Sequence, residues 1–107
     1  MTHTVDVHDD HLIELIRDSL ASEQLQPRTV NTYTHWIERF LWLNQDKPIE
    51  RLTEEDAKGF LSYVRQRLKA SRAKQKQAMS ALEYFFSVVR PRLHARTTDS
   101  SEENMSA

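Results

Sequence analysis

The sequence predicts an all-α fold of four packed helices, and three observations support this. Glycine occurs once and proline three times in 107 residues, so few positions interrupt a helix. Ala, Leu, Glu, Gln, Lys and Arg, which lose little side-chain entropy on helix formation, dominate the composition. Four segments carry apolar residues at helical spacing, and none shows the alternation typical of a strand. A chain of this length has room for one domain with one core.

The first two helices are predicted over about residues 10–23 and 27–44. Asp9 or Asp10 is expected to cap the first helix, and Pro27 suits the first position of the second because its missing N–H is not needed there. The apolar stripe of the first helix consists of Leu12, Ile13, Leu15, Ile16 and Leu20. That of the second consists of Val30, Tyr33, Ile37, Phe40 and Leu41.

The third helix is predicted over about residues 53–68. Thr53 followed by Asp56 resembles a capping box, in which each residue satisfies the backbone N–H of the other. Glu54 and Glu55 also favour a helix start, because the helix dipole is positive there. The residues expected to be buried are Ala57, Phe60, Leu61, Val64 and Leu68.

The fourth helix is predicted over about residues 72–89, with Ser71 as its cap and Pro91 as the residue that ends it. Apolar residues recur at helical spacing along one face of this segment. The residues expected to be buried are Ala78, Ala81, Leu82, Phe85 and Val89.

Residues 10–90 are thus expected to form the folded domain. Residues 1–9 are interpreted as a flexible N-terminus, and residues 91–107 as a linker or disordered polar tail that lacks periodicity. No cysteine is present, no apolar run approaches the ~20 residues that a bilayer requires, and the N-terminus lacks the pattern of a secretion signal. We therefore expect a cytoplasmic protein without a membrane partner.

Charge is sorted along the chain, although the net charge is only −1. Residues 1–56 hold twelve acids and five Lys or Arg, whereas residues 57–96 hold ten Lys or Arg and the single acid Glu83. The local charge of a surface, rather than the net charge of the protein, decides which polyanion it attracts. The basic second half therefore indicates nucleic acid as a partner.

The faces opposite the apolar stripes of the second and fourth helices are polar and basic. Arg and Lys reach phosphates, and Gln, Ser and Thr reach base edges or phosphates, so two such helices side by side would suit a DNA groove. A solvated polar face is the commoner use of one such pattern. The candidate DNA-binding residues are Arg28, Thr29, Thr32, His35, Arg39, Arg72, Lys74, Gln75, Lys76 and Gln77. The competing surface is the end of the third helix, with Arg65, Arg67 and Lys69.

Other chemical uses of polar and aromatic residues are weaker. Histidines 3, 8 and 11 with Asp6, Asp9 and Asp10 lack a clear ligand spacing, so a frayed terminus is preferred and no metal or cofactor is predicted. Tyr33, Tyr63 and Tyr84 have no base-and-orienter pattern nearby and are assigned to the core or its boundary. Trp36 is assigned to helix packing, and Trp42 is left open. No enzymatic activity is predicted.

Three segments, in the same order, resemble parts of integron integrases, which are tyrosine recombinases. RTVNTYTHWIERF at residues 28–40 resembles their R-T-x-x-x-Y-x-x-W-I-x-R-F segment, and LTEEDAKGFLS at residues 52–62 resembles their next helix. QKQAMSALEYFF at residues 75–86 resembles Q-N-Q-A-L-x-A-L-x-F-L, with Lys74 where the family commonly has Thr. The likeness covers roughly residues 12–90 and is to the N-terminal SAM-like, core-binding domain of the phage integrase superfamily.

The resemblance implies a SAM-like orthogonal bundle of four helices that binds duplex DNA. In the family this bundle forms half of a C-shaped clamp, with its second and fourth helices against the major groove. A following domain carries the catalytic Arg, Lys, His-x-x-Arg and tyrosine. His94-Ala95-Arg96 is too short for the His-x-x-Arg element, so we expect a DNA-binding domain for site-specific recombination or DNA integration without its own catalytic domain.

The expected partners are therefore double-stranded DNA and, through the resemblance, a catalytic domain or other recombinase protomers. Two origins remain open: a piece of a longer recombinase, or a protein that stands alone. The alternative function is a protein-interaction or regulatory module that binds a partner recombinase instead of DNA.

Overall fold

The computed structural model describes residues 10–94, and it confirms the all-α prediction. The four helices are α1 (Asp10–Ala21), α2 (Pro27–Leu43), α3 (Glu54–Gln66) and α4 (Arg72–Tyr84). A short 3₁₀ turn, Ile49–Arg51, lies between α2 and α3, and a π-helical turn, Phe85–Val89, follows α4. Residues 10–94 contain no strand, and none of their helices has the length and hydropathy of a membrane-spanning segment.

The predicted starts of α2, α3 and α4 are confirmed. Asp10, one of two predicted caps of the first helix, is instead its first helical residue. The Thr53 N–H donates to Asp56 Oδ2 at 2.8 Å, and the Asp56 N–H donates to Thr53 Oγ1 at 3.3 Å, which completes the capping box. Ser71 Oγ accepts the Lys74 N–H at 3.2 Å and caps α4. Pro27 is the first residue of α2, where a missing N–H breaks no intrahelical bond.

The hydrophobic core lies around α2, which packs against α1, α3 and α4. Phe40 is fully buried there, and its ring meets those of Phe60 at 5.5 Å and Phe85 at 5.7 Å between centroids, both edge to face. Trp36 is buried and packs edge to face on Phe60 at 6.3 Å, which confirms its assignment to packing. Every residue predicted to be buried on the fourth helix is buried: Ala78, Ala81, Leu82, Phe85 and Val89.

One predicted core residue points to solvent. Leu68 is 38% exposed, because α3 ends at Gln66 and the chain turns through Lys69, whose φ is 52°. The predicted helix ran two residues further and therefore carried Leu68 onto the buried stripe. Trp42, which the sequence left open, is 48% exposed near the end of α2.

The prediction that Pro91 ends the fourth helix is wrong, because residues 90–94 are helical. Proline lacks an N–H and its ring clashes with the carbonyl four residues earlier in a regular α-helix. The preceding turn is a π-helix instead, in which the Arg90 N–H donates to the Phe85 carbonyl five residues back. This wider turn changes the helical register just before Pro91, so the helix continues across it.

The segment after the π turn is attached to the rest of the domain. Leu93 packs against the core, and Arg92 forms an ion pair with Glu23 at 3.1 Å and a hydrogen bond with Ser22. The packed part of the chain therefore reaches beyond the predicted boundary at residue 90.

Several predictions fall outside the described residues. They concern the flexible residues 1–9, the capping role of Asp9, the polar tail beyond residue 94, and most of the histidines and aspartates that were weighed as metal ligands. In the described range, no three His, Asp or Glu side chains gather as a metal site requires.

Candidate nucleic-acid interface

A groove lies between α2, the turn from α3 to α4, and the first turns of α4. We call it the α2–α4 groove; its volume is about 790 Å³. Its polar lining residues are Asn31, Thr32, His35, Arg39, Lys69, Ser71, Lys74 and Gln77. Among the described residues that line it, none is acidic. The groove therefore offers cations and hydrogen-bonding groups together on one surface.

Helical spacing brings these side chains to one surface. Thr32, His35 and Arg39 follow one another at intervals of three and four residues, so they share one face of α2. Lys74 and Gln77, three residues apart, present the facing edge of α4. The opposite faces of both helices are buried in the core, so the rotation of each helix about its axis is fixed by packing.

Arg39 and His35 interact directly. The Arg39 Nε–H donates to His35 Nε2 at 3.2 Å. Both side chains are exposed, and the two terminal NH₂ groups of the guanidinium stay available for a ligand. Guanidinium binds phosphate oxygens through paired N–H groups, and the hydrogen bond to His35 leaves such a pair on Arg39.

The cations of this groove have no carboxylate partner within residues 10–94. The ion pairs in that range join Lys47 to Asp56, Lys58 to Glu55, and Arg92 to Glu23. Arg39, Lys69 and Lys74 take part in none of them. Their positive charge is therefore not neutralised by a neighbour that the structure describes, and it is available to an anionic ligand.

The structure divides the predicted basic face of α4 between two grooves. Arg72, Gln75 and Lys76 line the α3–α4 groove, of about 590 Å³, together with Lys58 and Arg65. The division follows from helix geometry, because adjacent residues such as 76 and 77 are rotated by about 100° from each other. Since α4 packs against both α2 and α3, its two edges face different neighbours.

Three of the candidate residues have distinct surroundings. Gln75 is half-buried, and its side-chain amide donates to the Ala70 carbonyl at 2.9 Å, so it fastens the turn before α4. Arg28 is exposed and Thr29 is half-buried in the first turn of α2, and neither lines the two grooves described above. Arg28 shares the face of Thr32 one turn earlier in the helix.

Lys69 lines the α2–α4 groove but was placed in the competing surface by the sequence. It lies in a turn, where helical spacing assigns no face, and this explains the omission. Arg65, from the same competing group, lines the α3–α4 groove instead. In the sequence, the one feature that could have pointed to Lys69 is its position as a basic residue between the predicted third and fourth helices.

The three tyrosines occupy boundary positions, as predicted. Tyr33 and Tyr84 are half-buried, with ring centroids 5.5 Å apart. Tyr63 is half-buried and stacks on Phe60 at 6.3 Å. Each ring thus has a packing partner.

The fold and the groove define a small all-α domain with a basic groove between its second and fourth helices. Residues 12–94 match the family of phage integrase N-terminal SAM-like domains. The chain belongs to this family of tyrosine recombinase-related domains. The match confirms the superfamily to which the three resembling segments pointed. No curated protein sequence matches the chain.

Proposed function

We propose that this chain binds duplex DNA through the α2–α4 groove, as the DNA-gripping, non-catalytic domain of a tyrosine recombinase. The observation that carries the proposal is the convergence of Arg39, Lys69 and Lys74 in one groove whose described lining has no acid. Membership of the SAM-like family supports it. The likeness of three segments to integron integrases supports a role in site-specific recombination or DNA integration. A catalytic domain or other recombinase protomers would supply the chemistry.

The division of labour in the groove follows from side-chain chemistry. Arg39 and Lys74 carry the charge that binds phosphates, which gives affinity without reading sequence. Gln77 and Thr32 present neutral groups that reach base edges. Gln77 is exposed, whereas the Gln75 amide already donates within the protein, so Gln77 is the better candidate for sequence reading.

Titration of a labelled duplex at several salt concentrations tests the proposal. The isolated domain should bind weakly, with a Kd of about 10⁻⁴ to 10⁻⁶ M at physiological salt, because it makes few contacts. Arg39→Ala and Lys74→Ala should each reduce the magnitude of the slope of log K against log salt by ~0.9, the value for one lost phosphate contact.

A matched control is Arg51→Ala. Arg51 is an exposed cation in the 3₁₀ turn. The next residue, Leu52, accepts a hydrogen bond from Arg90 through its carbonyl, and Arg90 lies beyond the end of α4 that is far from Lys74. The control should keep the wild-type slope. If Arg39→Ala and Lys74→Ala keep it too, the α2–α4 groove is not the DNA site.

The same titration locates DNA relative to the second groove. Arg72→Ala and Lys76→Ala remove cations from the α3–α4 groove, and each should also lower the slope by ~0.9 if DNA covers both edges of α4. If only Lys74→Ala and Arg39→Ala lower it, DNA is confined to the α2–α4 groove. Gln77→Ala should change sequence preference more than the slope.

A second candidate function, a protein-interaction module that binds a partner recombinase, is favoured by one observation. The lining of the α3–α4 groove includes the apolar residues Leu61 and Met79, and Met79 is 47% exposed. Phosphates gain nothing from apolar side chains. A protein segment with acidic residues beside an apolar side chain would contact both the apolar lining and the surrounding cations. Absence of DNA binding even at low salt would favour this function over the first.

A further inference from the structure

Lys69 has a backbone conformation that glycine adopts more easily. Its φ is 52°, in the left-handed region where a Cβ crowds the following carbonyl. The hydrogen bonds around it fix the turn: the Arg67 and Leu68 N–H groups both donate to the Tyr63 carbonyl, and the Ala70 N–H donates to the Val64 carbonyl at 3.2 Å. Glycine at this position would form the same turn with less strain.

The Lys69 side chain contributes no polar contact that would offset this strain. It is exposed, and within residues 10–94 it has no ion pair and no side-chain hydrogen bond. It does line the α2–α4 groove, where its ammonium adds to the charges of Arg39 and Lys74. The three cations come from three different parts of the chain: α2, the turn and α4.

We propose that Lys69 contacts a DNA phosphate, so that a strained residue provides binding rather than stability. The inference rests on the proposed DNA-binding function. A strained non-glycine residue motivates a hypothesis of function but does not prove one. Of the two residues with a positive φ within residues 10–94, Lys69 lines the α2–α4 groove and Gln24 does not. A lysine in the groove supplies the charge that a glycine would lack.

Gln24 provides a matched control. It also has a positive φ, of 62°, in the turn between α1 and α2, and it is exposed. It carries no charge and does not line the α2–α4 groove. Gln24→Gly therefore relieves the same kind of strain without removing a cation from the proposed site.

The experiment compares Lys69→Gly, Lys69→Arg and Gln24→Gly with the wild type, in urea unfolding and in salt-dependent titration of a labelled duplex. Both glycine variants should raise the urea midpoint, because each removes left-handed strain. Lys69→Gly should lower the salt slope by ~0.9, which corresponds to about eightfold weaker binding at 0.1 M salt. Lys69→Arg should keep the slope, and Gln24→Gly should keep both the slope and the affinity.

The outcomes separate the inference from the function on which it rests. If the wild type binds DNA and Lys69→Gly binds with the same slope and affinity, Lys69 is not a contact and the inference fails alone. If the wild type shows no binding at low salt, the proposed function fails, and the inference fails with it. If Lys69→Gly lowers the urea midpoint while Gln24→Gly raises it, the Lys69 side chain supports the fold and the argument from strain is refuted.

Discussion

Replacement of Phe85 by Ala tests whether the core is packed as described. Phe85 is fully buried at the start of the π turn. Its ring meets Phe40 at 5.7 Å and Phe86 at 5.1 Å between centroids, both edge to face. The substitution removes the ring from all of these contacts and leaves a cavity between α2 and the π turn.

The expected loss in free energy of unfolding is ~3–5 kcal/mol, the usual range for a buried phenyl ring replaced by a methyl group. Two edge-to-face pairs, worth about 0.5–1.5 kcal/mol each beyond burial, favour the upper half of that range for Phe85. Because domains are stable by only about 5–15 kcal/mol, the variant should lose a large share of its stability.

Urea unfolding followed by circular dichroism measures this loss. With an m-value of about 2 kcal/mol/M, a loss of about 4 kcal/mol lowers the midpoint by about 2 M. Trp42→Ala is the control, because Trp42 is 48% exposed and its truncation should cost much less. A loss below ~1 kcal/mol for Phe85→Ala would refute the packing described for the π turn. A loss for Trp42→Ala that exceeds the loss for Phe85→Ala would refute it as well.

Three further substitutions have definite expected outcomes. Thr34 is 1% exposed, and its hydroxyl has no hydrogen-bond partner within residues 10–94. Thr34→Val should therefore raise stability by about 1 kcal/mol, measured as a melting temperature several degrees higher. Arg90 donates to the Leu52 carbonyl at 2.6 Å, and Arg90→Ala should cost ~1–3 kcal/mol in urea unfolding. The hydrogen bond from Lys47 lowers the pKa of Asp56 below its ordinary value of 3.8. The ionised carboxylate therefore stabilises the fold above that ordinary value, and this stabilisation is lost as the pH falls through the folded-state pKa. Asp56→Asn should therefore flatten the acid side of the stability profile, and an unchanged profile would contradict this.

The parts of the fold that depend on neighbouring residues in the sequence were predictable. The capping box of Thr53 and Asp56 and the cap at Ser71 involve residues three apart, so the sequence contains the whole interaction. The buried stripe of α4 was also predictable, because Ala78, Phe85 and the residues between them repeat at the helical period.

The parts that depend on the arrangement of helices were not predictable from spacing. Leu68 fits the apolar period of α3, but the chain leaves the helix before reaching it. Pro91 is ordinarily a helix breaker, and only the π turn before it allows the helix to continue. A local rule gives the preference of one residue, whereas the outcome at these positions was decided by the backbone around it.

The candidate site shows the same difference. Periodicity placed Arg39 on the face of α2 opposite the core and Lys74 at the flank of α4, and both line the α2–α4 groove. It did not separate Gln77 from Lys76, because which edge of α4 faces α2 depends on the packing of three helices. Lys69 lies in a turn, so its position in the groove follows only from the path of the chain.

On α4, the residues proposed to bind DNA and the residues that form the core occupy different parts of the helix. The buried residues of the α4 region begin at Ala78, so the first six residues of the helix, 72–77, carry the polar groups and none of the core. Substitutions of exposed residues outside the core usually change stability by no more than about 0.5 kcal/mol, and Lys74 and Arg39 are both exposed. Lys74→Ala and Arg39→Ala should therefore weaken DNA binding and keep the urea midpoint of the wild type. If either variant lost DNA binding and also several kcal/mol of stability, the groove residues would be shown to support the fold. Such a loss would approach the ~3–5 kcal/mol expected for the core substitution Phe85→Ala.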